Sequence, residues 1–301
     1  MSAALASAGR RLRAGECGSN EPLAGYTTWR VGGPARRLIA PADGDTLCAH
    51  LAALPPQEPV WWLGLGSNVL VRDGGLPGTV IWLGAGLDAL CIEGRRIRAE
   101  AGVACGRLAR AANRAGLAGL GFLAGIPGTV GGALALNAGA WGGETWQRLV
   151  AVETVDRFGV RRQRGPEAFR VGYRQVVGPP GEWFLAASWE LPAADPQQLQ
   201  DDTRQWLRQR NATQPVGRPT AGSVFRNPPG GSAGELIERA GLKGVACGGA
   251  YVSSRHANFI INEGDRAADI ERLIEHVQAQ VQAVHGVTLE REVHILGEAS
   301  Q

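Results

Sequence analysis

Residues 121 to 143 read Gly-Phe-Leu-Ala-Gly-Ile-Pro-Gly-Thr-Val-Gly-Gly-Ala-Leu-Ala-Leu-Asn-Ala-Gly-Ala-Trp-Gly-Gly. Eight of these residues are glycine, five are alanine and none is charged. Glycine loses much conformational entropy on folding and brings no side chain to a core. Such a density is therefore expected where the backbone turns with positive φ or lies against another surface. The stretch predicts a loop in close contact with a ligand, and a bound cofactor is the leading candidate.

Composition limits the classes of protein to which the chain can belong. It has 301 residues, 44% of them hydrophobic and 20% charged, which predicts a globular protein with two domains or one large and one small domain. The 31 basic and 28 acidic residues leave a net charge of +3 without a long basic block, so we expect no nucleic-acid partner. No run approaches about 18 apolar residues, so no membrane span is expected.

The five cysteines are not spaced as metal ligands, redox pairs or a disulfide framework. This usage predicts a reducing, cytoplasmic environment and no metal site. Residues 1–22 include a short Ala-rich run that is too weakly apolar for a signal peptide, and we expect a flexible N-terminal extension.

Short β-branched runs separated by Gly, Pro and Asp turns predict several strands, at residues 59–63, 79–83, 97–101, 150–155 and 183–189. Helices are predicted over residues 44–53, 105–115, 196–210 and 232–240, and a further strand over 258–261. A long helix follows residue 265, because apolar side chains recur at helical spacing up to Gly286: Ile270, Leu273, Ile274, Val277, Val281 and Val284. A change of character near Asp195 indicates a domain boundary there.

Residues 287–295 alternate between apolar and polar side chains, which predicts a final strand. Val287, Leu289, Val293 and Ile295 would face one side of it. Glu290 and Glu292 would share the polar side, and the alternation by itself favours a solvated sheet edge over a functional site.

Two shorter motifs suit anions. Gly64-Leu65-Gly66-Ser67-Asn68 follows an apolar run and offers backbone N–H groups to a pyrophosphate, although it is neither a Rossmann nor a Walker motif and an ordinary hairpin turn explains it equally well. Ser223, Arg226 and Asn227 lie in one turn, where a serine can donate a proton and the other two can hold an anion. A polar turn at a strand end is the alternative. No nucleophile elbow is present, which argues against a hydrolase.

The order of these motifs resembles that in the UDP-N-acetylenolpyruvoylglucosamine reductase family, flavoenzymes of peptidoglycan-precursor synthesis. The resemblance covers about residues 24–297 and rests on residues 64–70, 121–143, 169–174, 222–228, 240–244, 256–260 and 292–293. The chain resembles the shorter, type II class, because little sequence separates Tyr173-Arg174 from the second domain.

The resemblance implies an α+β fold with a two-lobed FAD-binding domain of the vanillyl-alcohol-oxidase (PCMH) type and a smaller C-terminal α+β substrate domain. We place the FAD-binding domain at residues 23–195, with lobes at about 23–58 and 59–195. A linker helix and extended link would occupy 196–218, and the substrate domain 219–301.

The resemblance also implies the reaction. NADPH would reduce noncovalently bound FAD, and a hydride from flavin N5 would reach the vinyl carbon of UDP-N-acetylenolpyruvoylglucosamine to give UDP-N-acetylmuramate. Ser223 would donate the proton, while Arg174 and Glu292 polarise the substrate carboxylate and the incipient enol. Glu292 should be protonated or tightly paired, since a bare carboxylate would repel the enolate. The enzyme is expected to be monomeric.

By the same resemblance, the cofactor contacts are expected at Thr28, Arg30, Gly64, Gly66, Ser67, Asn68, Gly125, Ile126, Pro127, Gly128, Thr129, Gly131, Gly132, Asn137, Ala138 and Gly139. Substrate contacts are expected at Tyr173, Arg226, Asn227, Lys243, His256 and Asn258. Gln175-Val176-Val177 departs from the family pattern, which leaves open how Arg174 is hydrogen-bonded.

Two other functions fit the sequence less well. An FAD-linked sugar or alcohol oxidase of the same fold commonly carries a flavin-linking histidine in the first glycine-rich loop, and residues 64–68 contain none. A catalytically silent flavin-binding protein would retain Arg174, Ser223 and Glu292 together only by coincidence.

Overall fold

The structure is a computed structural model that describes residues 10–300. Its first part is a four-stranded sheet with a crossover helix. In chain order its elements are β1 (Cys17–Pro22), β2 (Pro34–Ile39), α1 (Gly44–Ala53), β3 (Val60–Leu63), β4 (Val69–Val71) and β5 (Leu76–Trp82). The strand order is β1-β2-β5-β3, and β2 and β3 both run parallel to β5. Helix α1 starts at a capping box formed by Asp43 and Thr46 and buries Leu47 and Leu51.

This sheet corrects two expectations. Residues 17–22, assigned to a flexible extension, form β1 and pair with β2 from Cys17 to Pro22; residues 1–9 of that predicted extension lie outside the described residues. The first lobe extends to Trp82, not residue 58, because β5 inserts between β2 and β3. Such a pairing depends on contacts between distant segments, which sequence order does not display.

A second, antiparallel sheet follows, with helices packed against it. Its part of the chain contains β6 (Leu90–Glu93), β7 (Arg96–Glu100), α2 (Cys105–Arg114), α3 (Val130–Leu136), β8 (Gly139–Ala140), β9 (Gly143–Glu144), β10 (Leu149–Asp156), β11 (Arg161–Arg164), β12 (Arg170–Gly172), β13 (Gln175–Val177) and β14 (Glu182–Glu190). The main sheet has the order β11-β10-β14-β7-β6. Trp189 and Leu108 are fully buried in the core that α2 and α3 form with it.

The glycine-rich stretch is not the simple loop that its composition predicts. It forms a 3₁₀ turn at Gly121–Gly125, helix α3, and the short β8–β9 pair. Helix α3 ends at Asn137 in the left-handed conformation. The stretch therefore contributes a helix and, at Asn137, a sharp change of chain direction.

Helix α4 (Pro196–Thr213) is three residues longer than its predicted end at Arg210 and is not a free linker. Its Trp206 stacks on Trp141 with ring centroids 5.6 Å apart. Asn113 of α2 donates a hydrogen bond to Thr203 Oγ1 at 2.9 Å. The helix is thus packed onto the first domain.

The second domain contains α5 (Ala233–Arg239), β15 (Ala246–Cys247), β16 (Ala250–Val252), β17 (Ile260–Asn262), α6 (Ala267–His285) and β18 (His294–Leu296). As predicted, the apolar stripe of α6 is buried from Ile270 to Val281 and Gly286 ends the helix with φ 70°. Val284 departs from the prediction, since it is 56% exposed at the end of the helix. In residues 10–300, no helix is long and apolar enough to cross a membrane.

The chain returns to the first domain at its C-terminal end. Strand β18 runs parallel to β4, with His294 opposite Val69. Of the predicted strand 287–295, only the last two residues are in β18, because residues 290–293 pair irregularly with residues 224–226, next to Ser223. Trp29 Nε1 also donates to Ile260 O at 3.0 Å, so the two domains share hydrogen bonds as well as a buried core.

Candidate active site between the two domains

A cleft of about 760 Å³ lies where the domains meet. The first domain contributes the loop of residues 64–68, residues 125–129 and part of α3. The second contributes residues 221–223 and the segment that leads into β18. Arg174, Ser223 and Glu292, the three predicted catalytic residues, all line this one cleft.

Ser223 and Glu292 are brought together by main-chain pairing. The amide of Glu292 donates to Val224 O at 2.8 Å, and the amide of Arg226 donates to Glu290 O at 2.9 Å. These bonds hold the serine-bearing turn against the C-terminal segment. Asn68 Nδ2 also donates to Glu292 O at 3.1 Å, which fixes the glycine loop to the same place.

Arg174 is the second residue of a two-residue hairpin turn between β12 and β13, and its φ is 54°. Its Nε donates to Glu292 Oε1 at 3.1 Å. Its Nη2 donates to Gly139 O at 2.8 Å, and its Nη1 to Asn137 O at 3.4 Å. The unusual Gln175-Val176-Val177 sequence forms β13 and leaves these hydrogen bonds intact.

Burial dominates the electrostatics of the acidic group. It raises the pKa of the Glu292 carboxyl, and the nearby positive charges of Arg174 and Arg226 oppose this rise only in part. The carboxyl side chain is 17% exposed, so it is poorly solvated. Glu292 is therefore paired with Arg174 and also more readily protonated than an ordinary glutamate.

His294, which the sequence motifs did not identify, lines the cleft two residues after Glu292. Burial lowers the pKa of its imidazole, and the charge of Arg226 lowers it further. Both effects favour a neutral ring at neutral pH.

The glycines of the first loop serve contacts within the protein. A Cβ on Gly66 would lie 2.1 Å from Tyr26 O, and the residue has φ +65°. A Cβ on Gly64 would lie 2.6 Å from Thr129 Oγ1. These two glycines allow the loop to pack against neighbouring segments, so they are not explained by approach to a ligand alone.

Gly132 behaves differently. It lies in α3 and lines the cleft, and the nearest atom to a Cβ built there is Thr129 Oγ1 at 3.8 Å. No atom of residues 10–300 therefore requires a glycine at this helical position. In the same cleft the indole Nε1 of Trp62 is buried without a protein hydrogen-bond acceptor. That N–H is shielded from the cleft, so the open glycine surface is the feature that a bound molecule would explain.

Most of the predicted cofactor residues line the cleft, namely Gly64, Gly66, Ser67, Asn68, Gly125, Ile126, Pro127, Gly128, Thr129, Gly132, Ala138 and Gly139. Thr28, Arg30, Gly131 and Asn137 do not. The amide of Thr28 donates to Gly66 O at 3.0 Å. Thr28 therefore stabilises the loop of residues 64–68 without lining the cleft. Arg30 is exposed, and Gly131 packs against Ala101.

The predicted substrate residues Tyr173, Arg226, Asn227, Lys243, His256 and Asn258 lie outside the cleft lining. Asn258 is buried, and its side chain both accepts from the amide and donates to the carbonyl of Phe225. Asn227 accepts a hydrogen bond from the amide of Ala233. These two asparagines therefore hold main chain in place.

The other four make contacts outside the cleft lining. Lys243 pairs with Glu238 at 2.6 Å, and the ring of His256 packs edge-on against Phe259. The ring of Tyr173 lies 5.1 Å from the Arg174 guanidinium carbon. Arg226 donates to the main-chain oxygen of Arg174 at 3.2 Å and pairs with Glu290.

Sequence reasoning missed several residues of the cleft wall, which are Trp61, Trp62, Trp141, Trp183, Gln209, Arg210, Thr213, Gln214 and Phe259. Trp141 lies within the glycine-rich stretch and could have been found there. Arg210 and its neighbours belong to a polar helix without any local motif. Only the packing of α4 brings them to the cleft.

The fold and the cleft define an α+β enzyme class with a large ligand-binding domain and a smaller domain that completes the site. Residues 35–162 match the family model described as FAD binding domain, and residues 214–296 match that of the UDP-N-acetylenolpyruvoylglucosamine reductase C-terminal domain.

Comparison with whole proteins identifies the family. A UDP-N-acetylenolpyruvoylglucosamine reductase from Alkalilimnicola ehrlichii is 61% identical over 98% of this chain and 99% of its own length. One from Methylococcus capsulatus is 55% identical over 93% of each chain. The crystal structure of the Thermus caldophilus enzyme superposes with a TM-score of 0.81 at 36% identity, covering 94% of this chain and 98% of that one. The chain belongs to the UDP-N-acetylenolpyruvoylglucosamine reductase family and is an FAD-dependent oxidoreductase.

These matches confirm the predicted α+β fold class, with an FAD-binding domain and a smaller C-terminal domain. The cleft suits the cofactor, because Gly132 leaves an open surface on it. Within residues 10–300, no group of three His, Cys, Asp or Glu side chains is arranged to hold a metal ion.

Proposed function

We propose that this enzyme uses NADPH to reduce UDP-N-acetylenolpyruvoylglucosamine to UDP-N-acetylmuramate, a step of peptidoglycan-precursor synthesis. The observation that carries the proposal is the convergence of Arg174, Ser223 and Glu292 on one cleft from three distant parts of the chain. The names of the relatives, which align along nearly their whole length, support the same substrate.

The reaction adds a hydride and a proton across the vinyl group of the substrate. When bound, FAD would supply this hydride, drawn from NADPH, to the terminal vinyl carbon. Negative charge then builds on the adjacent carbon and its carboxylate, and Ser223 Oγ donates the proton to that carbon. Serine is a weak acid in water, so this role requires a site in which the developing carbanion is a strong base. The partly buried position of Ser223 in the cleft is consistent with such a site.

Arg174 is suited to hold the substrate carboxylate. An arginine has five N–H donors. Three of them are used by Glu292, Gly139 and Asn137, which leaves two for a ligand. The protein contacts fix the plane of the guanidinium, so little side-chain freedom remains to be lost when the carboxylate binds.

Glu292 completes the set because burial raises the pKa of its carboxyl. In the protonated form it can donate a hydrogen bond to the enolate, whereas the ionised form would repel it. Arg174, Ser223 and Glu292 then act on the same developing charge.

Anaerobic flavin spectroscopy tests the proposal. We expect the purified yellow protein to be bleached by NADPH more readily than by NADH, and its colour to return when the enolpyruvyl sugar nucleotide is added. Return of colour with oxygen but not with this substrate would indicate an oxidase, and the absence of bleaching by either nucleotide would indicate a silent flavin-binding protein. Denaturation should release free FAD, because the proposed binding is noncovalent.

We further propose that the enzyme acts as a monomer in the cytoplasm. All five cysteines are free, as suits a reducing compartment. Size-exclusion chromatography with light scattering measures the oligomeric state, and cell fractionation measures the location.

A further inference from the structure

Asn137 lies beside the catalytic site without lining its cleft. It is 1% exposed, and its Nδ2 donates to Gly172 O at 3.2 Å and to Glu144 Oε2 at 3.0 Å. Its Oδ1 accepts from the amide of Trp146 at 3.3 Å. Gly172 precedes Arg174 by two residues in the hairpin, so Asn137 ties that hairpin to the end of α3.

The main chain of Asn137 faces the same arginine. Its carbonyl oxygen accepts from Arg174 Nη1 at 3.4 Å, and Gly139 O accepts from Nη2 at 2.8 Å. Both carbonyls follow the left-handed turn at Asn137, where φ is 43° and ψ is 53°. Asparagine is among the few non-glycine residues that adopt this conformation readily.

Val176 of β13 packs against the core of the first domain, and the polar contacts of Asn137 and Arg226 are added to that apolar contact. Strands β12 and β13 form a separate two-stranded sheet, and Val171 and Val177 are exposed. Arg226, through its bond to Arg174 O, holds the turn from the second domain. The Asn137 side chain holds it from the first domain, and Glu144 fixes the Asn137 amide group in turn.

We propose that Asn137, oriented by Glu144, is a positioning residue that sets the direction of the Arg174 guanidinium toward the substrate carboxylate. This assignment replaces the cofactor contact that the sequence predicts for Asn137, and it rests on the proposed function for the role of Arg174. Asn137 acts through the carbonyls of residues 137 and 139 and through the tether to Gly172, and it does not touch the reacting atoms.

The test uses the FAD-loaded enzyme and the variant Asn137→Gly, which tolerates the left-handed backbone but removes the side-chain hydrogen bonds. We expect reoxidation of the reduced flavin by the enolpyruvyl sugar nucleotide to slow by about 10-fold or more, the effect of losing a buried hydrogen bond in the reactive complex. Bleaching by NADPH should change by less than about 2-fold, a difference too small to represent such a bond. In an Arg174→Ala background, Asn137→Gly should cause no further slowing.

Asn113→Ala is the matched control, since Asn113 is another buried asparagine whose side-chain amide donates two hydrogen bonds, here to Thr203 Oγ1 and Leu199 O. It should lower stability without separating the two half-reactions. Glu144→Ala is the second variant, and it should slow reoxidation in the same direction as Asn137→Gly even if that variant fails to fold. Equal loss in both half-reactions, or additive loss in the Arg174→Ala background, would overturn the proposal.

A structural readout separates this inference from the proposed function. The ¹⁵N signal of the Arg174 Nε–H group, identified by its loss in Arg174→Lys, should shift and exchange faster in Asn137→Gly and Glu144→Ala but not in Asn113→Ala. An unchanged signal in both test variants would contradict the positioning role. Wild-type flavin that the substrate does not reoxidise would contradict the proposed function, while the Arg174 signal would still decide the positioning role.

Discussion

Arg174 Nε donates a hydrogen bond to Glu292 Oε1 at 3.1 Å, although the two residues lie 118 positions apart in the chain. Arg174 belongs to a hairpin of the first domain, and Glu292 belongs to the segment that leads back from the second domain into β18. The site is therefore assembled only when both domains have folded and docked. Four predictions follow from this arrangement and from the glycines around it.

Ser223→Ala should leave flavin bleaching by NADPH nearly intact and slow reoxidation by the enolpyruvyl sugar nucleotide by at least about 10²-fold, the lower range for a lost general acid. The reason is that the hydroxyl is needed only when the carbon next to the carboxylate takes up a proton. Stopped-flow absorbance of the flavin measures both half-reactions.

Ser232→Ala is the control for the serine substitution. Ser232 caps α5 by accepting from the amide of Glu235 at 3.4 Å, so its loss should lower the free energy of unfolding by about 0.5–2 kcal/mol. Both half-reactions should proceed as in the wild type. Slowing of both half-reactions to the same extent in Ser223→Ala would remove Ser223 from the role of proton donor.

Ionisation of Glu292 should reduce both stability and reoxidation rate as pH rises. Burial raises the pKa of this carboxyl above its value in the unfolded chain. The stabilisation of the fold by the protonated carboxyl is therefore complete at pH below the pKa of the unfolded chain, and it is lost as the pH rises through the pKa of the folded protein. Glu292→Gln should therefore gain stability relative to the wild type with increasing pH. Urea unfolding across a pH series measures the difference, and stopped-flow reoxidation should show a falling limb in the wild type that the variant lacks.

Glu271 provides a control of opposite sign. A hydrogen bond from Arg72 lowers the pKa of the Glu271 carboxyl in the folded protein. The contribution of Glu271 to the free energy of unfolding is therefore present at pH above the pKa of the unfolded chain, and it is lost as the pH falls through the pKa of the folded protein. Glu271→Gln should be destabilising at neutral pH and progressively less so in acid. The same pH trend in both variants would contradict the assignment for Glu292.

Gly132→Ala should separate folding from cofactor binding. Alanine is favoured over glycine in a helix by up to about 1 kcal/mol. Gly132 is the third residue of α3, and outside the backbone of that helix the new Cβ would meet only Thr129 Oγ1, at 3.8 Å. The apoprotein should therefore be at least as stable as the wild type, whereas FAD should bind more weakly because the added methyl group projects into the cleft. Flavin fluorescence titration and urea unfolding of the apoprotein measure the two effects.

Gly106→Ala is the matched helical control, because its Cβ would meet the flexible end of Arg110 at 3.3 Å and Ala124 O at an ordinary contact distance of 4.0 Å. It lies in α2 outside the cleft lining, so stability should rise without a change in FAD affinity. If Gly132→Ala binds FAD as tightly as Gly106→Ala does, the cofactor does not approach α3 at this position.

Gly66→Ala should destabilise the fold by more than about 2 kcal/mol, since the left-handed backbone alone costs an L-residue about 1–2 kcal/mol. Its Cβ would also lie 2.1 Å from the main-chain oxygen of Tyr26. Gly217→Ala, at φ +83° with nothing within 4 Å, should show only the conformational cost. Thermal unfolding of both apoproteins tests this, and equal losses would show that the contact with Tyr26 relaxes freely.

Local pattern predicted the elements whose stability is local. Helix α1 spans the predicted residues 44–53, and α6 ends at Gly286 as its spacing predicts. The strand predicted over residues 287–295 was largely wrong, because residues 290–293 pair with residues 224–226 and not with a continuous sheet. Alternation shows which side chains could share a face, but it does not provide the pairing partner.

The catalytic candidates came from resemblance of ordered motifs, and the structure places all three in one cleft. The substrate candidates fared differently. Asn258 and Asn227 are polar residues in conspicuous motifs, yet their side chains satisfy main-chain groups. A buried asparagine that stabilises a turn and one that binds a ligand have the same sequence signature, and only the location of the cleft distinguishes them.

The sequence by itself determined the small, uncharged character of residues 121–143, the α+β class and the family, because these depend on residue types and on the order of motifs. Only the tertiary structure shows what the missing side chain allows at Gly64, Gly66 and Gly132. Gly64 and Gly66 allow loops of the protein to meet, whereas Gly132 alone among these three leaves an open surface on the cleft. The tertiary structure also decided that the turn at Asn137, where α3 ends, binds Arg174 and its hairpin. These hydrogen bonds join segments that meet only when the whole first domain has packed.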